Sequence, residues 1–203
     1  MKRPLPVLRV LALVLVLGGL AACQAAAPSS PSPAGGAPGE IDRAFIDMMV
    51  PHHESAVAMA QLAIERAERA ELREMAHAII EEQQREIEQL RGWRERWFGS
   101  ADTPPMDRMP LMPGVEMPGM PGHAGGTMDM TRDVELLRVA EHFDRTFLEL
   151  MIEHHRSAVA AAEAVARESS VQEVRALAEQ VITSQQAEIQ QMSGWLAEWY
   201  PAP

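Results

Sequence analysis

Asp42-Arg43-Ala44-Phe45-Ile46-Asp47-Met48-Met49-Val50-Pro51-His52-His53-Glu54-Ser55-Ala56-Val57-Ala58 returns 102 residues later as Asp144-Arg145-Thr146-Phe147-Leu148-Glu149-Leu150-Met151-Ile152-Glu153-His154-His155-Arg156-Ser157-Ala158-Val159-Ala160. The match runs without a gap from Asp42/Asp144 to Phe98/Tyr200. About 23 of 57 aligned positions are identical, which marks an internal duplication. Apolar residues recur at helical spacing in each copy. In the first, Phe45, Met49, Ala56, Met59 and Ala63 make one stripe, and Leu72, Met75, Ala76, Ile79, Ile87, Leu90, Trp93 and Trp97 a second. A single hairpin cannot bury both stripes, so the reading is all-α: duplicated helical hairpins forming a four-helix bundle.

The second copy indicates where each unit folds back. Ser170-Val171-Gln172-Glu173 has the spacing of a capping box, a helix start. By the duplication this places the hairpin turn near residue 68 in the first copy. Gly99 is the expected stop of the second helix, and Pro51 is expected to kink the first near Asp47. Asp133 to Phe143 also reads as helical, so the third helix is predicted to start near Thr131 and to be longer than the first. Repeat one thus covers residues 42–98 and repeat two residues 133–200. Between them, residues 99–132 are too rich in Pro and Gly for a helix or a central strand. They predict a long Met-, Pro- and Gly-rich crossover, disordered or polyproline-like.

Residues 1–22 read as a lipoprotein signal peptide. Lys2, Arg3 and Arg9 precede the apolar run Val10–Leu20, and Leu20-Ala21-Ala22-Cys23 resembles a lipobox. Cys23, the only cysteine, is the expected lipidation site, and no internal disulfide or cysteine metal cluster is available. Residues 23–39 are a Pro-, Ala- and Ser-rich flexible tether, and residues 40–203 form the duplicated bundle. Removing the leader leaves 15 basic against 29 acidic residues. That balance excludes nucleic acid and an anionic membrane surface as partners and favours cations. The expected place is outside the cytoplasm, held to a bacterial membrane through the N-terminal lipid alone.

The chemistry-bearing residues are the two His-His pairs. Folding each repeat about residue 68 sets His52 and His53 opposite Gln83, with Glu86 one turn along, and Met49 on the same face. The second copy supplies Met151, His154, His155, Gln185 and Glu188. With two-fold pseudo-symmetry, four histidines, two methionines and two carboxylates could converge mid-bundle, where bundles build metal sites. Imidazole with thioether points to a late transition metal, copper above all, with silver as the second choice. The bland alternative is a buried polar network of each inner histidine with the facing Gln or Glu. The crossover adds Met106, Met109, Met112, Met117, Met120, Met128 and Met130, with His123 among them. Those thioethers predict a looser Cu(I) site, against the alternative that they pack on the bundle as gap-filler.

The stretch Phe45–Ala60, followed by Gln83, Glu86-Ile87 and Gly92-Trp93, resembles the bacterial ferritin-like domain-of-unknown-function family with the Met-x-x-His-His motif, which includes CopM-like periplasmic copper-binding proteins. The resemblance covers about residues 40–200. It implies a ferritin-like bundle outside the cytoplasm that in some members binds copper or silver, with Met49, His52, His53, Met151, His154 and His155 as motif residues; the thioethers make Cu(I) the expected copper state. The second copy departs from the pattern at Leu150, Glu153 and Ala161, which puts the equivalence of the half-sites in question. The expected role is metal buffering, tolerance or delivery, with a copper transport or efflux protein as partner and no catalysis. One rival is a di-iron oxidase using Glu74-Met75-Ala76-His77, whose counterpart Ala176–Glu179 breaks the motif. Another is an assembly module docking through Trp93, Trp97, Trp195 and Trp199.

Overall fold

Helix α1 spans Glu40–Arg66 and α2 spans Ala70–Phe98. Beyond the crossover, a short α3 (Thr131–Arg138) precedes α4 (Phe143–Glu168) and α5 (Gln172–Trp199). The computed structural model describes residues 36–112, 115 and 127–201, all within the unit Pro33–Pro203. The leader, Cys23, most of the tether, Met117, Met120 and His123 lie outside the described residues. Helix α1 packs along α2, α4 along α5, and α1 against α4. The two hairpins therefore join through their first helices into a bundle. No helix among the described residues is long and apolar enough to cross a membrane.

The turns obey the duplication. Helices α1 and α4 end at Arg66 and Glu168, and α2 and α5 begin at Ala70 and Gln172, each pair separated by the same 102 residues. The aspartate that opens each repeat holds the turn of the other. Asp144 accepts the backbone N–H groups of Glu68 at 3.0 Å and Arg69 at 3.1 Å, two donors left free at the start of α2. Asp42 accepts the Ser169 hydroxyl, and Ser169 Oγ accepts the Val171 N–H at 3.0 Å. Ser169, not Ser170, is thus the polar residue at this turn. Val171 occupies the N-cap of α5 and makes no side-chain cap hydrogen bond, so the capping box read at Ser170 does not form. Helix α2 stops as expected, with Gly99 at φ 84° donating its N–H to the Glu95 carbonyl at 3.0 Å. That left-handed conformation suits a residue without Cβ.

Pro51 lies inside α1, which continues through it to Arg66. Two further expectations are corrected. The third helix is not continuous with α3, because residues 139–142 break the two apart. Arg66 takes over the carbonyls at that break, donating to Leu137 at 2.9 Å and to Ala140 at 2.8 Å, while its guanidinium lies 4.8 Å from the Phe143 ring centre. Its counterpart in the second repeat is Glu168, so nothing equivalent can form there. The crossover, expected to be disordered or polyproline-like, has folded ends. A 3-10 turn, Met106–Arg108, leads into β1 (Met109–Pro110), which pairs antiparallel with β2 (Thr127–Met128).

The core divides into two apolar clusters. One holds Phe45 to Val50 of α1 with Ala158 to Val165 of α4 and the first turns of α5. The other holds Ala56, Met59, Ala60 and Ala63 of α1 with Phe143 to Ile152 of α4 and the first turns of α2. Along α4 the clusters give way to each other at the His-His pair and Ser157, and along α1 at His52, His53 and Ser55, with Val57 alone reaching back to the first cluster. A polar layer therefore crosses the middle of an apolar bundle.

Candidate metal centre

All four motif histidines sit in that layer and all are buried. The contact between repeats is reciprocal. His52 Nε2 lies 2.7 Å from Ser157 Oγ, and His154 Nε2 lies 2.6 Å from Ser55 Oγ. The rings of His52 and His154 lie against each other with centroids 3.8 Å apart. The second member of each pair turns toward its own hairpin. His53 Nε2 meets Glu86 Oε2 at 2.7 Å and His155 Nε2 meets Glu188 Oε2 at 2.7 Å. The divergence of adjacent helical side chains by roughly 100° separates these two jobs.

The hydrogen bonds fix which ring nitrogen is left over. Ser157 donates its hydroxyl proton to the His154 carbonyl at 2.7 Å, so its oxygen must accept from His52 Nε2–H. The carboxylates of Glu86 and Glu188 likewise accept from Nε2–H of His53 and His155. In a neutral ring the proton on Nε2 leaves a lone pair on Nδ1. The Nδ1 atoms of His52, His53, His154 and His155 are all buried and without a hydrogen-bond partner. Buried polar atoms are rarely left so, and four in one layer are what a set of metal donors would present. A carboxylate on the far nitrogen of a histidine also matches the usual support of a metal-bound imidazole. Gln83 and Gln185 add buried Oε1 atoms without partners.

Burial drives the pKa of His52 and His154 well below the ordinary imidazole value. The neighbouring histidines push the same way, and the backbone carbonyl of the facing residue opposes them. Both rings are therefore neutral at pH 7, the state that ligates. Glu82 of α2 has its carboxyl pKa raised, first by burial and then by the charges of Glu86 and Glu188, against a hydrogen bond from Ser184. Ser184 is the residue equivalent to Glu82 in the second repeat. Gln180 Nε2 approaches Glu86 Oε1 at 3.3 Å. Long polar side chains of α2 and α5 thus face each other beside the histidine layer.

The structure brings the four histidines and the two carboxylates into one layer. Met49 belongs to one apolar cluster and Met151 to the other, so the thioethers flank the layer on opposite sides. The reading from sequence missed Ser55 and Ser157. Their signal was present, since the Ser-Ala-Val-Ala run is identical in both repeats one turn beyond the histidines. In the crossover, Met109, Met112, Met128 and Met130 are buried in the first cluster and Met106 packs on it. These methionines are not a loose string. Glu74 and His77, the di-iron candidates, are exposed on α2. The tryptophans stack within the chain, Trp93 on Trp97 at 5.2 Å and Trp195 on Trp199 at 5.0 Å. Among the described residues no three His, Cys, Asp or Glu side chains surround one point as a ready ligand set. The donors instead come as facing pairs of imidazoles.

A family model described as a domain of unknown function, DUF305, matches residues 42–196. Among solved structures, the chain is similar to CopM in its Cu(I)-bound form, at 34% identity over 78% of this chain and 97% of that one, with a TM-score of 0.63. The Cu(II)-bound form of CopM gives 38% identity with the same coverages and a TM-score of 0.62. The silver-soaked form gives 33%, 78% and 96% coverage, and a TM-score of 0.63. A DUF305 protein of Streptomyces coelicolor is 28% identical over 78% of this chain and 93% of that one, with a TM-score of 0.65. Comparison with curated protein sequences gives no match.

Proposed function

The chain belongs to the DUF305 family, and from that premise we propose that it binds copper or silver outside the cytoplasm and buffers or delivers the ion without catalysing a reaction. The observation that carries the reading is the layer of four buried Nδ1 atoms without partners, three of them left as the acceptor nitrogen by the bonds on Nε2. His52 and His154 would bind across the α1–α4 seam. His53 and His155 would be oriented by Glu86 and Glu188, and Met49 and Met151 would supply soft donors from either side. Imidazole pairs backed by thioethers suit Cu(I) and Ag(I), which accept few ligands, better than Fe(II). CopM, similar over most of this chain, is known with Cu(I), Cu(II) and silver bound, which supports the same cargo here. The leader ending in Cys23 supports a lipid anchor on the outer side of a bacterial membrane.

The test is metal titration of the full chain in detergent with Cu(I), Ag(I), Cu(II), Zn(II) and Fe(II), beside a variant carrying His52→Ala and His154→Ala. Tight Cu(I) and Ag(I) binding that weakens in the variant is the expected result. Equal binding by both chains, or Fe(II) taken up and oxidised, would overturn the reading.

A further inference from the structure

Every buried residue described between Gly99 and Met130 is a methionine: Met109, Met112, Met128 and Met130. The β1–β2 register sets Met109 opposite Met128, and both side chains are buried on the bundle side. Beyond that rung, the Met130 N–H donates to the Met106 carbonyl at 2.8 Å, so a second methionine pair follows the first. The ribbon packs on α1. There its methionines share one cluster with Met48 and Met49.

Apolar burial alone does not account for this choice. A short strand pressed against a helix is served better by Val or Ile, which strands favour. Leucine fills a core with fewer rotamers than methionine does. What methionine alone adds is a thioether, a neutral soft donor for a late monovalent cation. Met48 carries the same signal, since its counterpart on α4 is Leu150. We propose that Met109, Met128 and Met130 of the ribbon, with Met48 of α1, form a thioether site for Cu(I) or Ag(I), distinct from the histidine layer. Thioethers are soft, neutral donors that favour Cu(I) and Ag(I) over hard cations such as Mg2+ or Ca2+. An ion bound by donors from the ribbon and from α1 would also tie the crossover to the bundle.

The experiment uses the full chain in detergent, labelled with [methyl-13C]methionine and titrated with Ag(I), while imidazole signals are followed in the same sample. Single Met→Leu variants assign the methyl signals. The expected result is that the methyls of Met48, Met109 and Met128 shift together with one equivalent. Met109→Leu with Met128→Leu should then lose that equivalent and still melt cooperatively. Should the double variant fail to fold, Met48→Leu, which leaves the ribbon whole, is expected to lose it instead. Ribbon methyls that stay still while imidazole signals move would overturn this site and leave the histidine reading standing. Ribbon methyls that move while the imidazoles stay still would uphold this site and overturn the histidine reading.

Discussion

His52 and His154 press their rings together across the α1–α4 seam, centroids 3.8 Å apart, each with Nε2 on a serine of the opposite helix. Protonating either ring would place a cation in an apolar bundle against other imidazoles. Burial and those neighbours hold both pKa values well below the ordinary 6.5. Unfolded, the same rings take up protons near that value. Below about pH 6.5 the unfolded chain therefore binds more protons than the folded one, and stability falls as pH falls. Each ring contributes a slope of at most about 1.4 kcal/mol per pH unit in that window. Urea denaturation of the metal-free chain between pH 7.5 and 5 should show the loss. His52→Gln with His154→Gln should flatten it, and an unchanged slope in that variant would count against this account.

Ser157 has two jobs at once, donating to the His154 carbonyl and accepting from His52 Nε2–H. Ser157→Ala leaves a buried ring N–H unpaired. The expected cost is about 1–3 kcal/mol of stability, read from denaturation midpoints without metal. A loss below about 0.5 kcal/mol would mean that the bond contributes little.

Glu86 and Glu188 do the same chemistry in unequal surroundings. The Glu86 side chain is 4% exposed and that of Glu188 17%, and Glu86 is also approached by Gln180. Replacing a carboxylate behind a ligating histidine typically weakens metal binding about 10–100-fold. Glu86→Gln should therefore weaken Ag(I) binding at the histidine layer within that range, and Glu188→Gln less, because water screens the more exposed group. Equal losses, or a larger loss at Glu188, would argue against burial as the cause.

Glu82 should be the carboxylate whose removal helps the metal-free fold. Burial and the charges of Glu86 and Glu188 raise its pKa, so the ionised group opposes folding at neutral pH. The sign follows from linkage: the penalty is present above the ordinary carboxyl pKa and disappears once both states are protonated. Glu82→Gln should raise the melting temperature at pH 7 and leave it unchanged near pH 3. An equal gain at both values would point to packing rather than charge.

Because the chain repeats itself, the amino-acid sequence determined the hairpins, both turn positions and the placing of Glu86 beside His52-His53 and of Glu188 beside His154-His155, though not which histidine each carboxylate takes. Each carboxylate lies in the same hairpin as its histidines, so helical spacing and a single fold-back point suffice to bring them together. Gly99 was legible for the same local reason, since a left-handed cap favours a residue without Cβ. The serine bridges Ser55–His154 and Ser157–His52 needed the antiparallel register of α1 on α4, a relation between repeats that no periodicity within either one encodes. The break before α4 depends on Arg66 reaching carbonyls more than 70 residues away. The ribbon was hidden for a different reason. Proline and glycine in the crossover say where a helix cannot form, and only long-range packing decides which of the remaining residues are buried.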